Sequence, residues 1–307
     1  MAPSVAAVVL SYNGREIVLE ALASLSGLDY EPLEIVVVDN GSTDGTYEAV
    51  GEAFPEITRI RVEENRGISW GINHGIRHAM AKGHDYLLLL NNDIEADAGM
   101  LRELVELAES DPVIGCVGPK TYYYWERDRL WSAGGILRFR EAVTRERGMG
   151  EVDHGQYDRV EEVDYVNGCC MLIPSRVMQQ VGPWDPIYYI SVEDADWCMR
   201  MRHAGFRCMY THRAHLWHMV SRSTGGYRAS RTFQTGRSTA IFVRRYARPL
   251  DWCRFLFFQA LALPAAFVRE ALRGNVKAVV AKAKGLWTGL RVEMTPPPTL
   301  EVTPDQE

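Results

Sequence analysis

Tyr86-Leu87-Leu88-Leu89-Leu90-Asn91-Asn92-Asp93 decides how the rest of the chain is read. Five uncharged residues, four of them leucine, run straight into three polar side chains, the pattern of a strand buried on both faces that ends in a loop. In an open α/β sheet, ligands gather beyond the carboxyl ends of the strands, so Asp93 is expected where a ligand or a metal can reach it. The same three residues also suit a strand stop followed by a helix cap. This stretch alone leaves both readings open.

Upstream, the same signal repeats. Residues 5–10 form a valine-rich run closed by Ser11-Tyr12-Asn13-Gly14, and apolar positions at helical spacing follow over 15–25. Residues 34–38 make a second strand, ended by the turn formers Asp39-Asn40-Gly41-Ser42-Thr43-Asp44-Gly45. A weaker third strand over 57–62 precedes Asn65-Arg66-Gly67 and a helix to about residue 82. Strand and helix alternate up to Asp93, which predicts a mainly parallel α/β sheet covered by helices. Right-handed crossovers place the four strand tips on one edge. Ser11, Asn13, Asp39, Asn40, Asp44, Asn65 and Asp93 then converge on one crevice. The opening turn, Ser-Tyr-Asn-Gly-Arg-Glu, has no G-x-G-x-x-G, which argues against a dinucleotide site, and no G-x-x-x-x-G-K-[ST] loop occurs.

The second half reads less clearly. A helix over 99–109 and a short strand over 113–117 are expected, then an irregular segment over 120–160 carrying Tyr122, Tyr123, Tyr124, Trp125 and Trp131. Those aromatics suit either stacking on sugar faces or packing of an insertion on the core. Strands are expected at 160–166 and 169–173 and a helix from Pro174 to the stop at Gly182. Ser191-Val192-Glu193-Asp194-Ala195-Asp196 opens another helix that ends at Gly205. Ser191 and Asp194 have capping-box spacing, and Asp196 can pair with Arg200, so these acids also have a structural reading. Successive helical residues diverge by about 100°, so only one of Glu193 and Asp194 is expected to face the crevice squarely.

The 307 residues, 47% hydrophobic and 24% charged, are ordinary for a folded domain. The start, Met1-Ala2-Pro3-Ser4-Val5, has no basic region, so a cytoplasmic protein is expected. Six irregularly spaced cysteines suggest reduced packing thiols rather than disulfides or a zinc site. The net charge of -6 hides an asymmetry: residues 205–290 hold 15 Lys and Arg against 2 Asp and Glu, in a chain with 34 and 40. That region asks for an anionic partner, whether nucleic acid, substrate phosphates or an acidic membrane face.

The chain resembles the family 2 glycosyltransferases of the GT-A fold. The resemblance rests on Ser11-Tyr12-Asn13, on residues 38–46 (Val-Asp-Asn-Gly-Ser-Thr-Asp-Gly-Thr), on residues 65–75 (Asn-Arg-Gly-Ile-Ser-Trp-Gly-Ile-Asn-His-Gly) and on Asn91-Asn92-Asp93. It extends over about residues 4–225, and residues 163–205 look like the rhamnosyltransferase-type branch. What the resemblance implies is inverting transfer of a single sugar, rhamnose or another 6-deoxyhexose, from a dTDP- or UDP-linked donor to a glycan or lipid-linked acceptor. Ser11, Asn13, Asp39, Asn65, Gly67, Asn73 and Asn92 would bind the donor, with Asp39 on the base. Asp93 would close a D-x-D-like motif for Mg²⁺ or Mn²⁺, here lacking its first acid, and His218 would join it. Asp194, with Glu193 beside it, would be the general base. No Q-x-x-R-W motif is present, which disfavours a processive synthase. A nucleotidyltransferase would want a Gly-rich basic loop after the first strand, and a non-enzymatic nucleotide-sugar sensor or membrane scaffold is the alternative on the same fold.

These readings divide the chain into a catalytic domain over 1–230, with a nucleotide half (1–118) and an acceptor half (119–230), a basic helical extension over 231–293 and a disordered tail over 294–307. Residues 255–268 are apolar but shorter than the roughly 20 residues of a membrane span. Val276, Val279, Val280, Ala283, Leu286, Trp287 and Leu290 form one apolar stripe of a helix. Such a helix suits an anionic membrane surface, the catalytic domain or a second subunit of a homodimer. The implied location is cytoplasmic, peripheral at the inner membrane face through residues 252–290, with no nucleic-acid partner.

Overall fold

In the four leucines of residues 87–90 side chains alternate between two cores, and the computed structural model, which describes residues 2–220 and 228–300, shows both. Leu87 and Leu89 join one cluster and Leu88 and Leu90 the other, all at 0–1% exposure. Burial contributes about 2 kcal/mol for each such leucine. The strand is β4 (Tyr86–Asn91), preceded as expected by β1 (Val5–Ser11), α1 (Arg15–Leu25), β2 (Leu33–Asp39), α2 (Thr46–Ala53), β3 (Thr58–Arg61) and α3 (Ile68–Lys82). β1 lies parallel between β2 and β4, in a register that sets Ser11 beside Asp39 and Leu10 beside Asn91. Three strand tips therefore end level.

Beyond β4 come β5 (Ile94–Ala96), α4 (Met100–Glu109), β6 (Ile114–Tyr123), β7 (Leu130–Ser132), β8 (Gly135–Leu137), β9 (Thr144–Glu146), β10 (Glu161–Val163), β11 (Cys170–Pro174), α5 (Ser175–Val181), α6 (Glu193–His203) and β12 (Arg207–His218). The sheet runs β10-β12-β6-β11-β4-β1-β2-β3, with β5 on β12 and β7 on β6. β8 and β9 pair separately. β11 is antiparallel to β4, so its first residues lie at the carboxyl end of β4. The architecture is the expected mainly parallel mixed sheet flanked by helices, with a helical C-terminal layer.

The second half departs from the sequence reading. β6 is a ten-residue strand inside the sheet rather than a short one, and it straddles the expected border at 118. β12, twelve residues long, was not foreseen, because His212, Arg213, His215 and Trp217 interrupt its apolar positions. The alternation of buried Ala214, Leu216 and His218 with more open neighbours still follows strand period. Ser191 makes no capping box: its hydroxyl pairs with Thr235, and Val192 is the N-cap of α6. The Asp196–Arg200 pair does form, at 3.1 Å, inside a buried cluster with Arg245. The cysteines are free thiols, and Cys116, Cys198 and Cys208 bring their sulfurs within 4.8 Å of one another.

The C-terminal layer consists of α7 (Ala229–Tyr246), α8 (Pro249–Leu272) and α9 (Val276–Gly289). α7 and α9 cross backbone to backbone, since a Cβ on Gly285 would lie 2.0 Å from the Phe233 carbonyl and one on Gly236 2.4 Å from that of Lys282. Where the sequence suggested a run too short to span a membrane, α8 has 24 residues and is long and apolar enough to do so. Residues 294–300, expected as disordered tail, lie against the protein instead: Met294 and Leu300 pack on the core, and Arg245 donates to the Thr295 carbonyl at 3.3 Å. The rest of that tail, 301–307, lies outside the described residues.

Candidate active site

On the β1–β3 side, each tip is tied to the next by short polar bonds. Asn92 Nδ2 donates to Ser11 Oγ at 3.0 Å, and the Ser42 amide donates to Asp39 Oδ1 at 3.1 Å. Asn13, at a φ of 46°, accepts from the Thr43 amide at 2.8 Å and thereby joins the β1 and β2 tips. Asn65 Oδ1 takes the Gly67 amide at 2.9 Å and the Tyr189 hydroxyl at 3.3 Å. Gly67 has a φ of 103° and sits against Tyr189, where a Cβ would come within 2.6 Å of a carbonyl oxygen, so only glycine fits. Asp39 is 1% exposed, and its Oδ2 has no hydrogen-bond partner among the described residues. Arg61 Nε stands 3.9 Å from that oxygen, beyond hydrogen-bond reach, so the buried acceptor still suits the N–H of a nucleobase. Asn73 departs from this set: both ends of its amide bind the Trp184 backbone, at 2.7 and 3.0 Å. It holds the backbone at Trp184, between α5 and α6, with both ends of its amide.

At the β4 tip, Asp93 Oδ1 lies 3.2 Å from His218 Nε2, and both side chains are buried. The last residue of β12 and the tip of β4 thus meet across 125 positions. The edge of Trp131 packs on the His218 ring, with centroids 4.4 Å apart. One carboxylate and one imidazole, completed by diphosphate oxygens and water, make a donor set that a divalent cation accepts. The residues fit the metal that the fold implies, with His218 Nδ1 buried and without a partner among the described residues.

The acids of α6 stand on a strained approach. Ser191 and Val192 have φ of 73° and 61°, a left-handed conformation that a β-branched valine adopts only under constraint, at about 1–3 kcal/mol. The constraint comes from α7: Arg237 donates to the Ile187 carbonyl at 2.6 Å, and Ser238 to that of Ile190 at 2.8 Å. Glu193 turns inward with 8% exposure, its Oε2 without a hydrogen-bond partner among the described residues; burial, then the charge of Asp194, pushes its carboxyl up to about 8. Asp194 stays partly exposed and accepts from the Gly168 amide at 2.8 Å and the Ala195 amide at 2.7 Å. Burial pushes it up to about 6 against those two donors. Of the two acids, Asp194 faces outward.

One turn links both ends of the site. The Asn91 amide donates to the Cys169 carbonyl at 3.1 Å, two residues before Asp93, while Gly168 next door holds Asp194. Burial first, then the charges of Asp93, Cys170 and Glu146, push the Cys169 thiol up. Glu146 itself escaped the sequence reading. It is buried at the end of β9 and accepts from Ser132, from Tyr165 at 2.6 Å and from Asn167 at 3.2 Å. Burial, with Asp194 adding to it, pushes its carboxyl up against those donors. Trp131 and Glu146 both come from the irregular 120–160 segment, whose aromatic content was the only available signal. A cavity of about 770 Å³, lined by Tyr30, Glu31, Arg102 and Glu109, opens at the opposite end of the strands and holds none of these residues.

Against known proteins, residues 6–178 match the family described as glycosyl transferase family 2. The N-acetylglucosaminyl-diphospho-decaprenol L-rhamnosyltransferase of Mycobacterium tuberculosis is 27% identical, with 80% of this chain and 87% of that protein covered. The poly-beta-1,6-N-acetyl-D-glucosamine synthase of Staphylococcus aureus is 24% identical over 80% of this chain, which spans only 57% of the synthase. Among solved structures, GalNAc-T7 with UDP, GalNAc and Mn²⁺ superposes with a TM-score of 0.66 at 16% identity, covering 79% of this chain and 48% of that one. A mannosyltransferase from Pyrobaculum calidifontis with GDP-Man and Mn²⁺ gives 0.59 at 19% identity, covering 95% and 88%.

Proposed function

The chain belongs to glycosyl transferase family 2 and is a glycosyltransferase, and from that premise we propose that it moves one sugar, rhamnose or another 6-deoxyhexose, with inversion from a dTDP- or UDP-linked donor to a hydroxyl of a glycan or lipid-linked acceptor. The observation that carries the proposal is the turn at 167–169, which is bonded to the β4 tip before Asp93 on one side and to Asp194 on the other. A cation site and a base on one turn are what a displacement at a sugar carbon needs. The Mycobacterium tuberculosis relative, matched over 87% of its own length, is named for a diphospho-decaprenol, which supports the acceptor class.

In this mechanism Asp39 and Asn13 seat the nucleoside, with Asn65 and Gly67 shaping the wall behind it. Asp194 takes the proton of the acceptor hydroxyl as its oxygen bonds to the anomeric carbon. The bond from that carbon to the diphosphate oxygen breaks, and the nucleoside diphosphate leaves with the electron pair. Held by Asp93 and His218, Mg²⁺ or Mn²⁺ would offset the charge that develops on the diphosphate. Carboxylates near 6 and 8 leave Asp194 ionised and Glu193 mostly neutral at pH 7, which suits one base rather than two. The test is a panel of nucleotide sugars assayed for Mn²⁺-dependent release of nucleoside diphosphate, with and without candidate acceptors. A dTDP- or UDP-linked 6-deoxyhexose should give the fastest release, and no release from any donor would overturn the proposal.

A further inference from the structure

Most amphipathic helices of a folded protein bury the apolar face and show water the polar one. α8 does not. Its inner side is buried at Phe255, Gln259 and Glu270, yet Leu250, Phe257, Leu261, Val268 and Leu272 recur at intervals of seven and four along the opposite side. That outer stripe is open: Phe257 is 60% exposed and Leu272 87%. Between Phe255 and Val268 the helix has no charged residue at all. A contiguous apolar face of this size marks a surface that meets something other than water.

Charge selects the partner. From residue 248 to 291 there are eight Lys and Arg against Asp251 and Glu270 alone. Both acids are already paired, Asp251 with Arg254 at 3.4 Å and Glu270 with Arg269 at 2.8 Å and Arg273 at 3.4 Å. Arginines therefore bracket the charge-free stretch at both ends, where they can snorkel, and Lys277 and Lys284 continue the basic rim along α9. Trp287, 57% exposed, stacks under Arg291 on the same layer, an arrangement that suits the headgroup region.

We propose that the outer face of α8 docks in the interface of an anionic lipid bilayer, lying flat rather than spanning it. At 24 residues the helix is about 36 Å long, enough to cross. Its inner side prevents that. Phe255 is packed in the core, Gln259 donates to the Glu141 carbonyl at 3.1 Å, and Glu270 takes the Asn275 amide at 2.8 Å in the backbone bond that closes the turn to α9. Crossing would break all of these contacts. A flat helix keeps them and buries only the stripe. The layer is also joined to the site, since α9 crosses α7 through glycines and α7 holds the 187–192 approach to Asp194. Docking would thus set the base at a fixed height above the lipid. This deepens the reading of a lipid-linked acceptor but does not depend on it.

The full chain should co-sediment with phosphatidylcholine vesicles containing about a third phosphatidylglycerol, with binding that weakens as salt rises and falls off on pure phosphatidylcholine. Phe257→Glu with Leu261→Glu should cut partitioning at least about tenfold while melting and donor hydrolysis stay at wild-type levels, since both side chains lie on the surface. Alkaline carbonate should release the bound protein. Equal binding by the double variant would overturn the proposal. So would retention through the carbonate wash, which would mean a span, or a concentration-dependent dimer that the double variant abolishes, which would mean that a second copy covers the face. Loss of vesicle binding with transfer to a soluble acceptor intact would separate this inference from the catalytic one.

Discussion

The half built on β1 to β4 and the half built on β6 to β12 share one sheet, yet they make their share of the site by different means. In the first, polar residues are the ends of strands, bonded to neighbours at the next tip: Asn92 to Ser11, Ser42 to Asp39, Asn13 to Thr43. Parallel topology does the positioning. In the second, Asp194 follows two residues in left-handed conformation that α7 braces, and Glu146 is gathered with Ser132, Tyr165 and Asn167 from three separate segments. Here packing does the positioning. On the proposed reading, the donor pocket is carried by a strand order and the base by a tertiary surround.

The largest effects should come from breaking each half at its acid. Asp194→Asn keeps the shape and the Gly168 contact but cannot take a proton, so turnover should fall by about 10²–10⁴ with donor affinity nearly unchanged. Turnover equal to wild type in stopped assays would remove Asp194 as base. Asp93→Ala should act on the other quantity: donor affinity in the presence of Mn²⁺, read by calorimetry, should drop by at least about tenfold. An unchanged dissociation constant would separate the β4 tip from the metal and collapse the contrast between the halves.

That contrast also explains what could be read from sequence. The tip residues were legible because an apolar run ending in Asn, Asp or Ser reports both the strand and the edge on which it ends. Asn73 looked the same in the motif, but its amide binds the Trp184 backbone, a contact 111 positions away that no local pattern encodes. Glu146 had no signal, since its partners lie 14 to 21 residues away in irregular chain. The capping reading of Ser191 failed because Thr235 and Ser238 of α7 hold the segment in a shape that a free helix start would not adopt. The length of α8 was missed because Gln259 and Pro264 break the apolar run in sequence, although the helix continues through both.

Glu146→Gln sharpens the comparison at intermediate size. The amide preserves volume but removes a buried charge that interacts with Asp194. Without it, Asp194 should ionise more readily, so the acid limb of the turnover profile should move to lower pH, with turnover itself down about tenfold as Asn167 and the Gly168 turn lose their anchor. A purely structural role would lower turnover or stability and leave the limb in place.

The smallest effect concerns stability rather than rate. Glu193 is held up to about 8 in the folded protein, chiefly by burial, against an ordinary value of 4.5. The native state therefore keeps a proton that the unfolded chain has already lost. Its contribution is fully present below about 4.5 and is lost as pH rises through 8, because ionising Glu193 beside Asp194 costs more inside the protein than in water. The slope should be at most about 1 kcal/mol per pH unit, since the pair titrates together, or about 2–3 °C of melting temperature. Glu193→Gln should remove that slope and melt higher than wild type near pH 8, whereas Asp39→Asn on the donor side should leave it unchanged. Parallel pH profiles for wild type and Glu193→Gln would mean that the stored cost lies elsewhere, and that the packed half of the site holds its base without burying a second acid at its expense.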